Sequence, residues 1–294
     1  EVKGDSRIET DGEARVDSLR PLPKTLGAAV DIGTTTLALR LYDPKTGRCA
    51  GEAASLNPQR SVAADVMGRI GAALAGAGEK LRRQVLDGVD SLIAQACAKA
   101  ERNPSDVDAL VVAGNTTMLY LLTGKSPEAL SHAPFEADCL FDETAPLWGG
   151  EAYLPPCMNA FVGADITCAV LASGLCDHTQ TSLLCDIGTN GEIALWKDGR
   201  LYVASTAAGP AFEGAGISCG SGSVPGAIDR VWIRDANIAV HALDDARPAS
   251  LCGSGLIDAV AAFLELGWVD ETGRAETEAL PLAGNVALLP KDIR

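Results

Sequence analysis

The 294 residues suffice for one large domain or two of ordinary size, and a hydrophobic content of 47% provides for substantial cores. Aromatic residues make up only 4%, so Ala, Val, Leu and Ile must fill those cores. A formal net charge of −15 argues against nucleic acid and anionic membrane surfaces as partners, because binding either requires Lys and Arg at phosphates.

Residues 1–25 are polar and end in Pro21-Leu22-Pro23, which reads as a linker or the tail of an upstream module. From Gly27 the pattern becomes regular. An apolar strand runs into Asp31, a second leaves through Thr36 to Tyr42, and Asp43-Pro44-Lys45-Thr46-Gly47 makes a turn before a third strand near Cys49 to Leu56. Helical periodicity covers Ala63 to Ala75 and Glu79 to Ala100. Val107 to Ala113 has the composition of a buried strand, and Gly114-Asn115-Thr116-Thr117 turns into a helix. A further helix is predicted over Asp165 to Gly174. The first part thus has the order β-β-β-α-β-α.

The second part repeats the opening hairpins over Leu183–Asp186, Glu192–Lys197 and Leu201–Thr206. A Gly-rich passage from Gly209 to Gly226 follows, then a short hairpin (Val231–Arg234, Asn237–Ala242) and an apolar helix over Leu256 to Leu266. No clear later strand–helix pairs follow. The expected fold class is α/β, with the β-β-β-α-β-α order duplicated in two lobes that face each other across a cleft. The expected domains are a tail over 1–25, a first lobe over 26–178 and a truncated second lobe over 179–294. No stretch resembles a signal peptide or a bilayer span. Nine cysteines are scattered without a C-x-x-C pair, which fits reduced thiols in the cytoplasm and gives no support for zinc or iron–sulfur ligation within the chain.

The chemistry concentrates in a repeated phrase. Asp31-Ile32-Gly33-Thr34-Thr35-Thr36 and Asp186-Ile187-Gly188-Thr189-Asn190-Gly191-Glu192 each follow an apolar strand and return as a second strand. A Gly-Thr turn exposes backbone amides that no ladder consumes, and with the threonine hydroxyls they form a nest for phosphate oxygens. The glycine lets the chain bend sharply with no Cβ in the way. Asp31 and Asp186, at the strand ends, suit a hydrated Mg²⁺, which takes few direct protein ligands. They are therefore candidates both for catalysis and for the metal. Asp165, at the start of a helix, could orient the attacking water or equally act as a cap. Glu192 could face the phosphates or the strand surface, and Asp258 is explained by its helix dipole.

Two other motifs compete. Gly216-Ile217-Ser218-Cys219-Gly220 satisfies G-x-S-x-G, but Glu213-Gly214-Ala215 is a poor strand and His241 follows too closely for a hydrolase triad. Gly124-Lys125-Ser126 resembles the end of a P-loop, yet Leu119 stands where the first glycine belongs. Gly124 is better placed to stop a helix, and Ser126 to cap the next one before Pro127.

The paired phrases resemble the two phosphate motifs of the acetate kinase, sugar kinase, heat-shock chaperone and actin superfamily, which implies actin-like and ribonuclease H-like duplicated lobes around a nucleotide cleft. More narrowly, Ala29 to Thr36, Val112-Ala113-Gly114-Asn115-Thr116-Thr117-Met118, Phe161-Val162-Gly163-Ala164-Asp165 and Cys185 to Glu192 resemble the ATP-dependent reductive activators of corrinoid enzymes. Gly209 to Ala215, Ile217 to Gly220 and Cys252-Gly253-Ser254-Gly255-Leu256-Ile257-Asp258 extend that likeness. The resemblance implies ATP and Mg²⁺ as ligands, with Gly33, Thr34, Thr35, Thr36, Asn115, Gly188, Thr189, Asn190, Gly191 and Glu192 around the phosphates and Gly253, Ser254 and Gly255 bordering the adenosine. It implies an ATPase that helps return a Co(II) corrinoid protein, or corrinoid-dependent methyltransferase, to Co(I) with an electron donor protein. It also implies a [2Fe–2S] domain in the full-length protein, absent from this chain, so the 294 residues are expected to be a fragment. A homodimer is compatible with the sequence. The alternatives are a small-molecule kinase on the same scaffold, or a non-catalytic nucleotide-gated binding platform.

Overall fold

The structure is a computed structural model that describes residues 25–188, 190–207, 209–214 and 216–293. Residues 1–24 of the predicted tail over 1–25 and the candidate Thr189 lie outside the described residues. Two compact units divide the chain: residues 1–186 with 192–205, and residues 187–191 with 206–294.

The first unit is built on a six-stranded sheet of β1 (Leu26–Ile32), β2 (Thr36–Tyr42), β3 (Cys49–Leu56), β4 (Val107–Gly114), β5 (Glu143–Leu147) and β6 (Gly150–Leu154). The strand order is β3-β2-β1-β4-β6-β5. β1 pairs antiparallel with β2 and parallel with β4, so Ile32 stands beside Gly114. Strict alternation drives this pairing: Leu26, Ala28, Val30 and Ile32 are buried while Ala29 and Asp31 are exposed. Leu37, Leu39 and Leu41 repeat the pattern on β2.

The buried sheet face is covered by α2 (Gly78–Lys99), which sets Leu81, Val85, Val89, Leu92, Ile93, Ala96 and Cys97 into the same core. α1 (Val66–Ala72) leads into α2 through a π-helical turn in which Gly76 has φ +100°. α3 (Thr116–Thr123) follows β4 directly and stops at Gly124, whose φ of +76° is the left-handed C-cap expected there. Ser126 Oγ accepts the Glu128 amide at 3.4 Å, but the N-cap of the 3-10 turn Glu128–Leu130 is Pro127 and not Ser126 as expected.

β5 and β6 form a hairpin that the sequence analysis did not anticipate. Pro146 sits in β5, and a proline breaks the strand signal. β5 is the sheet's edge strand, where a missing N–H costs no ladder bond.

α4 (Ala164–Ser173) starts where predicted, within one residue, with Gly163 as its N-cap. Its Ile166 and Val170 share a cluster with Met158, Val162, Ala194 and Leu201. The latter two lie on the sheet of β7 (Ser182–Ile187), β8 (Asn190–Lys197) and β9 (Arg200–Ala207), ordered β7-β8-β9, which repeats the opening hairpins as expected.

The second unit contains β10 (Ala227–Arg234), β11 (Asn237–Ala242) and β12 (Ser250–Leu251), ordered β11-β10-β12, with α5 (Gly253–Glu265) against β10. A hairpin of β13 (Leu280–Ala283) and β14 (Val286–Leu288) completes its core around Phe263, Leu256 and Ile228. α5 begins three residues earlier than the periodicity indicated, because its first turn contains two glycines. Asp258 accepts the Val231 amide at 3.2 Å and so ties α5 to β10.

Candidate functional site

The turn after β1 is held by three other segments. The Gly33 carbonyl accepts from Asn57 Nδ2 at 2.8 Å, the Thr34 carbonyl from Arg69 Nη2 at 2.6 Å, and the Thr35 carbonyl from the Asn57 amide at 2.9 Å. A trans peptide points its N–H opposite to its C=O. Drawing these carbonyls inward therefore turns the intervening amides away from Asn57 and Arg69. Thr34 is buried, and its Oγ1 accepts from Asn115 Nδ2 at 3.0 Å. Asn115 also caps α3, with Oδ1 accepting the Met118 amide at 3.0 Å.

The loop before α4 reaches the same region. Thr116 Oγ1 donates to the Asn159 carbonyl at 2.6 Å, and Asn159 Oδ1 accepts the amides of Phe161 and Val162 at 2.8 Å each. Glycine is required at position 163, because a Cβ there would stand 2.3 Å from the Asn115 Cα. That close approach brings the start of α4, and with it Asp165, to the ends of β1 and β4.

Four carboxylates act on one another within this unit. Asp31 rises from 3.8 to about 6, mainly through loss of hydration and then through Asp186. Its carboxyl retains solvent contact, being on the exposed face of β1, while the surrounding protein limits how much water can gather around it. Asp165 also rises to about 6, through burial first and then Asp31 and Asp186, although the Ile166 amide opposes the shift from 2.8 Å. Glu192 is 8% exposed and rises to about 7, through burial and then the fields of Asp165 and Asp186, against a hydrogen bond from Ser205 Oγ at 3.1 Å. Cys168, one turn after Asp165 on α4, has its thiol raised by burial and by Asp165 and Asp31.

This is the electrostatics of an anionic cluster that a cation would relieve. Hard carboxylate oxygens suit Mg²⁺. Among the described residues, however, no three His, Cys, Asp or Glu side chains gather closely enough to hold a metal ion by themselves. The fit is to an ion that keeps its waters and takes one or two carboxylates, as Mg²⁺ does with phosphates.

In the second unit, the Gly188 amide donates to the Asn190 carbonyl at 3.1 Å, closing the turn that precedes Gly191. Gly253 and Gly255 have a packing role in the structure. A Cβ at Gly253 would lie 2.0 Å from the Phe212 carbonyl oxygen, and one at Gly255 would lie 2.2 Å from that of Ile228. Ser254 Oγ donates to the Asp229 carbonyl at 2.8 Å. The G-x-S-x-G stretch follows a 3-10 turn (Pro210–Glu213) rather than a strand, and Ser218 Oγ donates to Asp292 at 2.9 Å. His241 is paired with Asp229 at 2.6 Å. Ser218 and His241 are thus each engaged with an aspartate and not with one another, and the stretch does not follow a strand as a nucleophile elbow would.

Arg69, Asn57 and Gln59 escaped the sequence analysis. The residue types carried no signal: each is a polar residue in a short helical or turn segment that ordinarily faces water.

A central strand paired parallel to β4, with an acidic residue next to its end and a Gly-Thr turn after it, and the same phrase recurring from the end of β7, defines a protein of the actin-like, or ASKHA, class. Residues 26–178 match the model of the RACo middle region, and residues 180–284 match that of the C-terminal ASKHA domain of RACo. The chain belongs to the RACo family. It is 35% identical over 261 residues to the corrinoid activation enzyme RamQ of Eubacterium limosum, covering 84% of this chain and 43% of that protein. It is 25% identical over 307 residues to the Co(II) methylated amine-specific corrinoid protein reductase of Methanosarcina barkeri, covering 91% of this chain and 56% of the other. The solved structure of a reductive activator for corrinoid,iron-sulfur protein superposes with a TM-score of 0.79 at 34% identity, over 92% of this chain and 45% of that one. The chain thus spans about half the length of these relatives.

Proposed function

We propose that this chain binds and hydrolyses ATP with Mg²⁺, and that hydrolysis drives reactivation of a corrinoid protein from Co(II) to Co(I). ATP and water give ADP and phosphate, while cobalt gains one electron from a separate donor protein. Family membership and the named activities of the relatives support the corrinoid partner. The ATP reading is supported by the repeated Asp-Ile-Gly-Thr phrase and by the electrostatics of Asp31, Asp165 and Glu192, which burial first and the neighbouring carboxylates second raise to about 6, about 6 and about 7.

In this reading, the amides of the Gly33–Thr36 turn and the Thr34 hydroxyl hold phosphate oxygens, with Asn115 fixing the hydroxyl. The repeated phrase after Asp186 offers the same chemistry through Gly188, Asn190 and Gly191, and Gly253 to Gly255 would border the adenosine. Asp31 and Asp186 would hold the ion through its waters; Mg²⁺ supplies charge neutralisation at the phosphates when bound. Asp165 and Glu192 sit near neutrality and can exchange a proton with an attacking water. Positioning and charge stabilisation form most of the catalytic content of phosphoryl chemistry.

Residence in the cytoplasm belongs to the same proposal. It is supported by nine free cysteines and by the lack of any described helix long and apolar enough to cross a membrane. The test is phosphate release from MgATP with and without a Co(II) corrinoid protein and reductant, in wild type, Asp31→Asn and Asp186→Asn. Corrinoid-stimulated release that disappears in both variants supports the assignment. Release that persists unchanged in both overturns it.

A further inference from the structure

Arg69 is fully buried, yet among the described residues no carboxylate is in ion-pair contact with it. Its partners are neutral. Nη2 donates to the Thr34 carbonyl at 2.6 Å, Nε to the Ala63 carbonyl at 3.1 Å, and Nη1 to Gln59 Oε1 at 3.3 Å and Met118 Sδ at 3.2 Å. Asp65, four residues earlier, acts on it through the field, while its Oδ1 is engaged by the Gly68 amide at 2.8 Å. Desolvation lowers the guanidinium to about 10, which still leaves it charged at neutral pH.

A buried, carboxylate-free charge is a poor way to stabilise a fold, since an apolar side chain of similar size would fill the space without the desolvation cost. Its position is more informative. The shortest of its bonds goes to the carbonyl of Thr34, whose hydroxyl is held by Asn115, and its sulfur contact is to Met118 in the first turn of the helix that Asn115 caps. The guanidinium therefore links the turn after β1 to the start of α3 and places a positive charge behind the turn's amides.

We infer that Arg69 is the positioning residue of this turn: it fixes the Thr34 carbonyl inward and supplies the buried charge that a polyphosphate neutralises from the opposite side. The inference deepens the ATP reading above and depends on it. Its ligand class is a nucleoside di- or triphosphate, and its effect on a neutral nucleoside is nil. Arginine is preferred to lysine because three neutral acceptors and a sulfur surround a planar fork.

The test is calorimetric titration of the full chain with MgATP and with adenosine, and phosphate release from MgATP, in wild type, Arg69→Met and Arg69→Lys, with thermal melts of each. Arg69→Met should weaken MgATP by about tenfold or more, the order expected for a lost charge-assisted hydrogen bond, and leave adenosine unchanged. Arg69→Lys keeps the charge, and should recover most MgATP affinity while kcat stays low, because one point donor cannot hold the turn as the fork does. Lysine also guards against misfolding of the methionine variant. Equal losses for MgATP and adenosine in Arg69→Lys would reduce Arg69 to a folding role and overturn the inference. Wild-type MgATP binding that survives Arg69→Met overturns this inference alone. A wild type that binds no MgATP overturns the ATP reading and this inference together.

Discussion

Asn115 Nδ2 donates to Thr34 Oγ1 at 3.0 Å across 81 positions of sequence, while Asn115 Oδ1 caps α3. One amide therefore does two separable things. A threonine hydroxyl has a single proton, and because its oxygen accepts from Asn115, that proton is directed elsewhere. Asn115→Asp keeps the cap acceptor and loses the donor. It should weaken MgATP binding with little change in melting temperature, whereas Asn115→Ala should also cost about 1 kcal/mol of stability through the lost cap. Paired binding and melting measurements on the two variants check this separation.

Glu192 gives the apo chain a defined pH response. Its folded value of about 7 lies above the ordinary 4.5, so between these values the folded chain keeps a proton that the unfolded chain has released. The stabilising contribution is full below 4.5 and is lost as pH rises through 7. Glu192→Gln should flatten this part of the profile, with a difference on the order of 3 kcal/mol between the ends of the window. Denaturant titrations of both proteins across that range, in chelator, provide the measurement. A wild-type stability that increases with pH relative to Glu192→Gln would contradict the assignment.

Asp31→Asn should act with opposite signs in two conditions. Without ligand it removes a poorly hydrated charge beside Asp186, and the melting temperature should rise slightly. With MgATP at a hundredfold excess over Kd, wild type should gain about 2.7 kcal/mol and the variant far less. Thermal melts with and without MgATP distinguish the two effects in one experiment.

Gly253→Ala tests the packing reading of α5. The new methyl group would meet a backbone carbonyl oxygen 2.0 Å away, which cannot step aside as a flexible side chain could. A destabilisation of roughly 1–3 kcal/mol is expected from such overpacking. Urea unfolding of the variant is the direct check.

The parts of the fold that could be read from sequence were those whose signal is local. Alternation placed β1 and β2, and the recurring Asp-Ile-Gly-Thr located Asp31 and Asp186 together with their turns. Asn115 could be singled out only through resemblance, because a polar turn before a helix otherwise reads as a plain cap. Arg69 and Gln59 were invisible for a physical reason: the free energy that buries them comes from carbonyls at positions 34, 63 and 81, far apart in sequence. The β5–β6 hairpin was missed because Pro146 hides an edge strand. The resemblance sets Gly253 and Gly255 beside the adenosine, and close packing on the Phe212 and Ile228 carbonyls is a reason internal to the protein for both.

The parallel pairing that sets Ile32 beside Gly114 also limits how this chain can change. Asp31 lies near the end of β1 and Asn115 directly after β4, so their relative placement depends on alignment of the two strands and not on the length of chain joining them. Insertions in the long stretch between them would be absorbed by loops. Deleting one residue inside Val107–Gly114 would leave the apolar content of β4 nearly intact, yet it would send every following side chain to the wrong side of the sheet. Such a protein could still fold while losing the Asn115 bond to Thr34, so that bond is inherited through strand alignment as much as through the two side chains.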